Sequence, residues 1–504
     1  MVIRGHAQIS QEAVTYFQFL LNDGGTAYPG RHMLDQIVNK ALTEAQMEEL
    51  GHDVSREEIH AAFLSIHPNK APGPDGFNGH FFKQTWNIIG EETISGVKYF
   101  FDSGRLLKEL NATAISLIPK VTNPTSLNDF RPISCCNTIY KCISKVLANR
   151  LKKVLPSLVD KFQSAFIKGR HISDNILLNQ ELMRNYHRVD SQVRGAIKVD
   201  LKKAFDSVKW EFLLDLLAAL WFPEKMIGWI RACITSPKFS ININGSLEGF
   251  FSSTRGLRQG DPLSPYLFVI VMDALSMIIS NKVASVDKFS YHWRCREEKI
   301  THLCFADDLI LFCGSNPELA LALKQSLDLF FSLSGLSANL SKSVIFTVGS
   351  DTHFKEYLLA IFGYQLGTLP ARHLGVPLIS TKLSSKDCKI LLEKIVARIK
   401  SWTSKHLSYS GWLQLIKSVL FSLQIYWMGL FILPKKVTDQ VDQLLRSFLW
   451  SGTDQKLKGA KVSWEHITCQ KSEGGLGIKK TDIWNKACMA KLIWNLCQVN
   501  STSL

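Results

Sequence analysis

The sequence LCFADDLILF at residues 303–312 places two adjacent carboxylates, Asp307 and Asp308, between two short apolar runs. This pattern predicts a β-hairpin with the acids at its tip. Because both runs are apolar enough to be buried, the acids would lie at the edge of a core and repel each other unless a cation neutralised them. The segment therefore predicts either a surface turn with two solvated acids or a site for a divalent metal ion.

A third acid follows residues 196–201, where apolar side chains recur at every second position, as in a half-buried strand. Asp200 lies at the end of that strand. An acid in this place can cap the next helix, but Asp206 and Ser207 lie closer to the helical pattern that begins near Val208. We expect one of those two to be the cap, which leaves Asp200 for chemistry.

The loop GLRQGDPLSP at residues 256–265 precedes a helix that is apolar nearly all round up to Ile279. We expect Asp261 to cap this helix, with Pro262 at its first position. A glycine-bounded loop that brings Arg and Gln to a helix entrance suits phosphate and sugar groups. A tight turn without a ligand explains the same residues.

The composition is that of a folded, basic protein of 504 residues. Lys and Arg number 59 against 44 Asp and Glu, which gives a formal net charge of +15 and a pI near 9.2. With 46% apolar and 10% aromatic residues, a largely disordered chain is excluded. At roughly 150 residues per domain, the length suits about three domains or one large enzyme. The positive charge predicts a polyanionic partner.

Cysteine usage and hydropathy both indicate an intracellular chain without a membrane partner. The eleven cysteines include no Cys-x-x-Cys pair, which argues for reduced thiols and against a disulfide framework or a zinc ribbon. The longest apolar stretch, residues 266–279, is shorter than the roughly 20 residues of a membrane span, and Asp273 interrupts it. The N-terminus shows no secretory signal pattern.

The rest of the chain divides by its periodicity. The first hundred residues are mostly helical, with Ser55 and Glu58 forming a capping box ahead of one helix. Residues 114–118 predict a short strand, and residues 140–155 an amphipathic helix whose lysines form a solvated face or follow phosphates. Short strands alternate with apolar helices over residues 194–346, which indicates an α+β core.

Ordered sequence blocks give a more specific indication. Together they resemble the reverse transcriptases of non-LTR (LINE-type) retrotransposons, and the plant versions in particular, from about residue 13 to residue 494. The blocks include KAPGPDGF at 70–77, LIPKV at 117–121, DFRPIS at 129–134, QSAF at 163–166, KAFD at 203–206, GLRQGDPLSP at 256–265, FADD at 305–308 and HLGVPL at 373–378. So many blocks in one order exclude a chance match.

The resemblance implies a fold and a domain order. The expected fold class is α+β, a right-hand polymerase of fingers, palm and thumb with a ferredoxin-like palm and a helical thumb. The expected domains are a helical N-terminal extension at residues 1–105, fingers and palm at 106–380, a helical thumb at 381–452 and a truncated C-terminal segment at 453–504. Full family members also carry an endonuclease and a Cys/His-containing region, which this sequence lacks.

When the family's catalytic residues are transferred position by position, the resemblance assigns them to the three acids. Asp200 matches the acid of the first palm strand, and Asp307 and Asp308 match the acid pair. The implied mechanism uses two Mg²⁺ ions roughly 3.5–4 Å apart, with Mn²⁺ as a substitute. One ion activates the primer 3′-hydroxyl, and the other binds the triphosphate and the departing pyrophosphate. Asp200 and Asp307 are the principal expected ligands.

The resemblance also assigns residues to the incoming nucleotide. Phe205 corresponds to the bulky ring under the sugar that excludes a 2′-hydroxyl. Gln259 corresponds to the loop residue beside the nucleotide. Lys120 and Arg131 are expected to meet the triphosphate, and Lys342 to protonate the pyrophosphate.

A further set of residues is assigned to the primer and the template. Arg258 is expected to face the template or a phosphate, and His373, Leu374 and Gly375 to support the primer end. Positive charge is expected along the fingers, the helix at residues 140–155 and the thumb. Binding should then weaken steeply with salt and show no sequence preference.

The predicted function is RNA-directed DNA polymerisation, with an RNA template, a DNA primer and dNTPs as partners. A catalytically silent remnant that only binds nucleic acid is the alternative, motivated by the missing neighbouring domains and by Trp412, where the family usually has a basic residue. An RNA-directed RNA polymerase shares the palm chemistry, but Phe205 argues against it. From the family we expect action in the nucleus or in a cytoplasmic ribonucleoprotein.

Overall fold

The computed structural model describes residues 5–22, 28–188, 193–285, 295, 297–349, 351–402, 407–452 and 460–497. The chain forms two compact units. Unit 1 comprises Met1–Arg170, Val193–Thr347 and Asp351–Leu366, and unit 2 comprises His171–Gln192, Val348–Ser350 and Gly367–Leu504. Residues 453–459 and 498–504 of the predicted C-terminal segment lie outside the described residues, and the predicted domain boundaries stay a prediction.

Strands and helices alternate irregularly along the chain. The strands are β1 (Ala112–Pro119), β2 (Phe130–Cys136), β3 (Arg194–Val199), β4 (Lys238–Ile243), β5 (Ser246–Ser252), β6 (His302–Phe305), β7 (Asp308–Gly314), β8 (Val344–Val348), β9 (Gln365–Leu366), β10 (Ala371–His373) and β11 (Val376–Leu378). The helices are α1 (His6–Leu21), α2 (His32–Ile37), α3 (Glu44–Gly51), α4 (Arg56–Ser65), α5 (Gly79–Gln84), α6 (Trp86–Ser103), α7 (Thr138–Leu158), α8 (Ile172–Leu182), α9 (Ala204–Ser207), α10 (Trp210–Ala219), α11 (Glu224–Thr235), α12 (Ser264–Ala284), α13 (Pro317–Ser334), α14 (Thr352–Phe362), α15 (Lys389–Lys400), α16 (Tyr409–Leu415), α17 (Phe421–Met428), α18 (Lys435–Ser451), α19 (Trp464–Ile467) and α20 (Thr481–Cys497). All eleven cysteines are free thiols, as their spacing predicts.

The predicted acidic hairpin is confirmed within a five-stranded sheet of unit 1, whose strand order is β6-β7-β3-β8-β9. β6 and β7 form the hairpin, in which Phe305 lies opposite Asp308. β3 runs antiparallel to β7, with Val199 opposite Leu309. The end of β3 therefore lies beside the start of β7, which brings together residues that are more than a hundred positions apart in the sequence.

A second sheet of unit 1, in the order β2-β1-β4-β5, includes the predicted strand at residues 114–118. Helix α1 packs on it through Ala13 and Phe17, which contact Ile115 and Phe239 in a small separate core. The backbone carbonyl of Leu21 accepts from the N–H of Thr254 at 3.0 Å, so the helix is also tied to the segment after β5.

Helix α12 is a buried core helix of unit 1. Its 21 residues are long and apolar enough to cross a membrane by length and composition alone, but 72% of its most apolar window is buried inside the protein. Asp273, at its centre, accepts from Lys40 Nζ at 2.6 Å and from the backbone N–H of Asp160 at 2.8 Å. Internal partners therefore satisfy the acid that interrupts the apolar sequence.

The predicted cap of α12 is wrong. The helix begins at Ser264, and Pro265 rather than Pro262 lies in its first turn. Asp261 instead accepts from the Tyr140 hydroxyl at 2.6 Å and from the N–H of Leu263 at 2.9 Å. A partner from a distant helix thus holds this acid within the loop, ahead of the helix.

Helix α7 is longer than predicted, and not all of its lysines face solvent. Lys141 is buried, and its ammonium donates to the carbonyl of Ala71 at 2.6 Å. Lys153 pairs with Glu49 at 2.7 Å. The expectation that lysines of this helix follow phosphates is therefore wrong for Lys141, which supports the Pro- and Gly-rich loop at residues 70–76, and stays a prediction for the exposed Lys152.

Arg150 on α7 ties the N-terminal helices to the core of unit 1. Its buried guanidinium donates to both carboxylate oxygens of Glu58 at 2.8 and 2.9 Å and to the carbonyl of His52 at 2.6 Å. Ser55 caps α4 as predicted, accepting from the N–H of Glu58 at 3.2 Å. The Glu58 carboxylate binds Arg150 instead of returning to the backbone of Ser55, so the other half of the predicted capping box does not form.

Unit 2 is mostly helical. Its core joins α8, the hairpin β10–β11 and helices α15 to α19 through residues such as Ile176, Val376, Trp427 and Phe448. A π-helical turn, Ile416–Leu420, connects α16 to α17. Trp412 packs against Phe448, with 6.4 Å between the ring centroids, so the residue that departs from the family pattern is partly buried against the core of this unit.

Replacing Arg150 with Leu is expected to lower the free energy of unfolding by about 2–4 kcal/mol, because it leaves the carbonyls of Leu50 and His52 and the partly buried Glu58 carboxylate without their donor. Lys153→Ala, on the same helix, removes an exposed ion pair and is expected to cost less than about 1 kcal/mol. Denaturant unfolding of both variants measures the difference. Equal losses for the two variants would contradict the assigned role of Arg150.

Candidate active site

The tip of the β6–β7 hairpin presents two of the three predicted acids. Ala306 and Asp307 form the two-residue turn, and Asp308 is the first residue of β7. Ala306 adopts a left-handed backbone conformation with φ of +54°. A positive φ at the first turn position matches the twist of the strands, which is why glycine is usual there. In this chain an alanine holds that conformation.

The third acid, Asp200, follows the last residue of β3. Its backbone N–H donates to Ser343 Oγ at 3.1 Å, and its carbonyl accepts from the N–H of Asn339 at 2.7 Å. The segment at residues 339–343 therefore anchors Asp200 and also carries Lys342. The sequence blocks do not predict this contact, because the two segments are far apart in the sequence and only the folded chain brings them together.

The three carboxylates interact electrostatically. Burial, and then the neighbouring charge of Asp200, raises the pKa of Asp307, although Arg131 opposes the shift. Burial, then Asp307, raises the pKa of Asp308 to about 6, with Lys198 opposing and Asp200 adding to the effect. The fold thus brings the predicted acids into one cluster that resists carrying its full negative charge.

The cluster fits a divalent cation in its chemistry. Carboxylate oxygens are the ligands that Mg²⁺ prefers, and this ion is commonly held by one or two carboxylates together with substrate phosphates. Within the described residues, no three His, Cys, Asp or Glu side chains are placed so that they could hold a metal ion by themselves. A metal ion bound at these acids would need further ligands, which the phosphates of a substrate can supply.

Four cations lie close to one another in the same unit. Burial lowers the pKa of Lys120, and the positive charges of Lys203, Arg131 and Lys342 lower it further. Burial also lowers the pKa of Lys203, whose ammonium has no hydrogen-bond partner within the described residues. Three of these residues were predicted from the sequence, whereas Lys203 was missed although it begins the KAFD block. Such a cluster suits a polyanion such as a triphosphate.

Gln259 is held in place by a buried acid. Its side-chain Nε2 donates to the two carboxylate oxygens of Asp206 at 3.1 and 3.2 Å. Its backbone carbonyl accepts from the N–H of Ser134 at 2.7 Å. Burial raises the pKa of Asp206 to about 6. The prediction that Asp206 or Ser207 caps the next helix is wrong, because Lys209 precedes α10 and Asp206 supports the loop instead.

Phe205 packs on the core helix α12. Its ring stacks on Phe268, with 4.4 Å between centroids and 18° between the ring planes. The backbone carbonyl of Phe205 accepts from the N–H of Leu257 at 2.7 Å. The ring is only partly buried, and the stacking fixes its orientation.

The prediction that Arg258 faces nucleic acid is wrong. Its guanidinium is buried and donates to Asn111 Oδ1 at 2.6 Å and to the carbonyl of Cys233 at 3.0 Å. It also pairs with Asp261 at 3.3 Å and lies 4.0 Å from the centroid of the Tyr140 ring. The N–H donors of Arg258 are thus bound to partners inside unit 1, so Arg258 holds the loop in place rather than binding a ligand.

The segment expected to support the primer lies in unit 2, as the hairpin β10–β11. Leu374 and Gly375 form its tip, with φ of +47° and +84°, and the Tyr426 hydroxyl donates to the carbonyl of Leu374 at 2.6 Å. His373 is buried, with its Nε2 3.3 Å from Asn179 Nδ2. A contact with nucleic acid would therefore involve the hairpin tip rather than the imidazole, and it stays a prediction.

An α+β core that brings three carboxylates and a group of cations together in one unit is typical of nucleotide polymerases. Residues 118–378, slightly more than half of the chain, match the family described as reverse transcriptase (RNA-dependent DNA polymerase). The chain belongs to this family, and the predicted right-hand polymerase fold class is thereby confirmed.

Similar proteins come from retrotransposons. The chain is 26% identical over 416 residues to the transposon TX1 uncharacterized 149 kDa protein of Xenopus laevis. The aligned region covers 82% of this chain and 31% of that protein. The chain is 27% identical over 303 residues to the retrovirus-related Pol polyprotein from the type-2 retrotransposable element R2DM of Drosophila melanogaster, covering 60% and 27%. These names confirm the predicted LINE-type resemblance. The chain spans about a third or less of the length of these relatives.

Among solved structures, the chain is similar to telomerase from Candida albicans in complex with a fragment of telomeric RNA. The TM-score is 0.38 and the sequence identity 12%, with 75% of this chain and 64% of that chain covered. Apo telomerase from Candida tropicalis gives a TM-score of 0.35 at 16% identity, with 56% and 59% covered.

Asp308→Asn is expected to stabilise the metal-free protein at pH 7.5. The pKa of Asp308 is raised to about 6 in the folded state, so above pH 6 the folded chain carries a charge that the unfolded chain accommodates more easily. The melting temperature should rise by about 2–4 °C, the shift that 1 kcal/mol produces in a domain of 150–250 residues.

This gain should shrink as the pH falls from 6 to 4, because wild-type Asp308 then becomes protonated in the folded state. Thermal denaturation in a chelating buffer measures both effects. Asp328→Asn, an exposed acid on α13, is the control and should show neither. A lower melting temperature for Asp308→Asn at pH 7.5 would contradict the account.

Proposed function

We propose that this chain is an RNA-directed DNA polymerase that adds dNTPs to a primer 3′-hydroxyl on an RNA template. The observation that carries the proposal is the proximity of acids and cations in unit 1. Arg131 acts electrostatically on Asp307, and it also belongs to the cluster that lowers the pKa of Lys120. A triphosphate with bound divalent metal has the charge pattern that matches both groups.

In the proposed mechanism the chain's own residues position the reacting groups. Asp200, Asp307 and Asp308 would hold Mg²⁺ or Mn²⁺, which lowers the pKa of a bound hydroxyl and neutralises phosphate charge when present. Lys120 and Arg131 would hold the triphosphate in line with the primer end, with Lys203 and Lys342 close to the leaving pyrophosphate.

Lys342 is the proposed proton donor to the pyrophosphate. The segment at residues 339–343 binds the backbone of Asp200, so an ammonium on this segment stays close to the acids. Its three N–H donors suit a departing phosphate oxygen. This role is separable from the binding of metal, because Lys342 cannot coordinate a cation.

Phe205 and Gln259 would recognise the sugar and base of the incoming nucleotide. The Phe205 ring is rigid because it stacks on Phe268, and a rigid ring can exclude a 2′-hydroxyl by steric overlap. Asp206 fixes the amide of Gln259. We place the activity inside the cell, in the nucleus or in a ribonucleoprotein, as family membership suggests.

A catalytically silent remnant is the second candidate, favoured by Trp412, which packs against the core of unit 2 and offers no cation to a phosphate. The two candidates differ in their dependence on the acids. A remnant would bind nucleic acid regardless of Asp307, whereas a polymerase would lose its chemistry on replacement of that residue.

Purified protein is expected to extend a DNA primer on an RNA template with dNTPs and Mg²⁺. Asp307→Asn should reduce extension by more than about 100-fold, the upper range for losing a residue that merely supports a metal ligand. Binding of the RNA–DNA duplex, measured by fluorescence anisotropy, should persist. Asp328→Asn is the matched control. Folded wild-type protein that extends no primer with either Mg²⁺ or Mn²⁺ would establish the remnant.

Phe205→Ala is expected to admit ribonucleotides. Steric overlap of the kind proposed costs about 1–3 kcal/mol, so the preference for dNTPs over rNTPs should fall by about 10- to 100-fold. Single-nucleotide incorporation kinetics measure the ratio of kcat/KM values. Phe331→Ala, a partly buried ring on α13, should leave the ratio unchanged. An unaltered ratio of kcat/KM values for dNTPs and rNTPs in Phe205→Ala would contradict the assignment of Phe205 as the residue that excludes a 2′-hydroxyl.

A further inference from the structure

A buried glutamine lies directly behind the acidic turn. Gln163 is 1% exposed and belongs to a segment that runs parallel to β6 through a bridge between Gln163 and Cys304. The N–H of Cys304 donates to the carbonyl of Phe162 at 2.9 Å, and the N–H of Ser164 donates to the carbonyl of Cys304 at 3.1 Å. Arg170 donates to the backbone carbonyl of Gln163 at 2.6 Å. This segment is therefore a fixed extension of the sheet beside the hairpin.

The Gln163 amide contacts both polar backbone groups of Ala306. Its Oε1 accepts from the N–H of Ala306 at 3.0 Å and from the N–H of Ala165 at 2.9 Å. Its Nε2 faces the carbonyl of Ala306 at 3.5 Å. The side chain thus takes the place of a neighbouring strand at the one position where the hairpin backbone turns away from the sheet.

Ala306 needs such a support. Its φ of +54° is a conformation that glycine adopts freely and that costs an L-residue with a Cβ atom. The next two residues are Asp307 and Asp308, whose mutual repulsion favours any rearrangement that moves them apart. A change of backbone angle at Ala306 would redirect the Asp307 carboxylate, because the two residues share a peptide bond.

We propose that Gln163 is a positioning residue, whose amide holds Ala306 in the left-handed conformation and thereby fixes Asp307 and Asp308 for binding a divalent cation. The proposal rests on the proposed function for its use of the acids. Gln163 itself is buried behind the turn, with its amide bound to the backbone of Ala306 and Ala165. Its effect is therefore expected on the affinity for metal rather than on the affinity for nucleotide or nucleic acid.

The test compares Gln163→Met, which keeps the size of the side chain without its hydrogen bonds, with wild type. The Mg²⁺ concentration that gives half-maximal primer extension should rise on the order of 10-fold, as for other residues that support metal ligands. The KM for dNTP should change little. Binding of Mn²⁺ to the protein alone, followed by electron paramagnetic resonance, should weaken by a similar factor and does not depend on polymerisation.

Gln180→Met is the matched control. In unit 2, Gln180 makes the same kind of two-sided amide contact, donating to the carbonyl of Pro377 at 2.7 Å and accepting from the N–H of Ile379 at 3.2 Å. Its loss should lower the melting temperature comparably and leave the affinity for Mn²⁺ unchanged. A purely structural Gln163 would behave in the same way.

A double variant tests the cause. Glycine at position 306 adopts a positive φ without help, so Gln163→Met combined with Ala306→Gly should recover most of the lost Mn²⁺ affinity. If Gln163→Met does not fold, Gln163→Glu keeps an acceptor for the N–H of Ala306 and should retain more Mn²⁺ affinity than Gln163→Leu.

The outcomes separate this proposal from the proposed function. Unchanged Mg²⁺ and Mn²⁺ dependence in a folded Gln163→Met variant would overturn the positioning role, whether or not the wild type polymerises. Weakened Mn²⁺ binding in a protein that extends no primer would support the positioning role and reject the polymerase.

Discussion

Two carboxylates at the tip of a hairpin and a third at the end of the neighbouring strand repel one another, and contacts within unit 1 hold them together against that repulsion. The pKa of Asp308 is raised to about 6 by burial and by Asp307, so this folded chain would be more stable with fewer charges there. A cost of this kind is typical of functional sites, where side chains are arranged for a ligand rather than for stability. Pairing of β3 with β7, hydrogen bonds from residues 339–343 to Asp200 and the amide of Gln163 hold the acids together.

The basic residues that give the chain its net charge of +15 do not all lie at the surface. Arg150, Lys141 and Arg258 are buried and serve the architecture through carbonyl and carboxylate partners. The cations that act on the acid pair are Arg131 and Lys198, and Arg131 also belongs to the cluster around Lys120, whose members repel one another as the acids do. Under the proposed function, these two clusters of opposite charge, each unfavourable alone, would be stabilised together by a triphosphate and its metal.

Much of the fold could be predicted because its signals are local. The hairpin at residues 303–312, the strand before Asp200 and the strand at residues 114–118 follow from alternation over a few positions. Even the convergence of Asp200 with the acid pair was within reach, since the ordered sequence blocks indicated the family.

The wrong predictions share one physical cause. Asp261 was assigned from its immediate neighbours and Arg258 from its family block, but their partners are Asn111, Cys233 and Tyr140, which only the fold brings close. Asp206 was given a capping role because it precedes a helix, whereas Gln259 binds it from a loop 53 positions away. Gln163 carried no signal beyond its place in a family block, because its partner is the backbone of Ala306.

The proposed function requires that Asp200 and the Asp307–Asp308 pair form one site for a divalent cation. Iron-mediated cleavage tests it most directly: Fe²⁺ replaces Mg²⁺, ascorbate and peroxide generate hydroxyl radicals at the bound ion, and mass spectrometry locates the broken peptide bonds. The account predicts cleavage at two separate segments, near residue 200 and near residues 307–308, suppressed by excess Mg²⁺ and by Asp307→Asn. Cleavage at only one of these segments, or at neither, would contradict it.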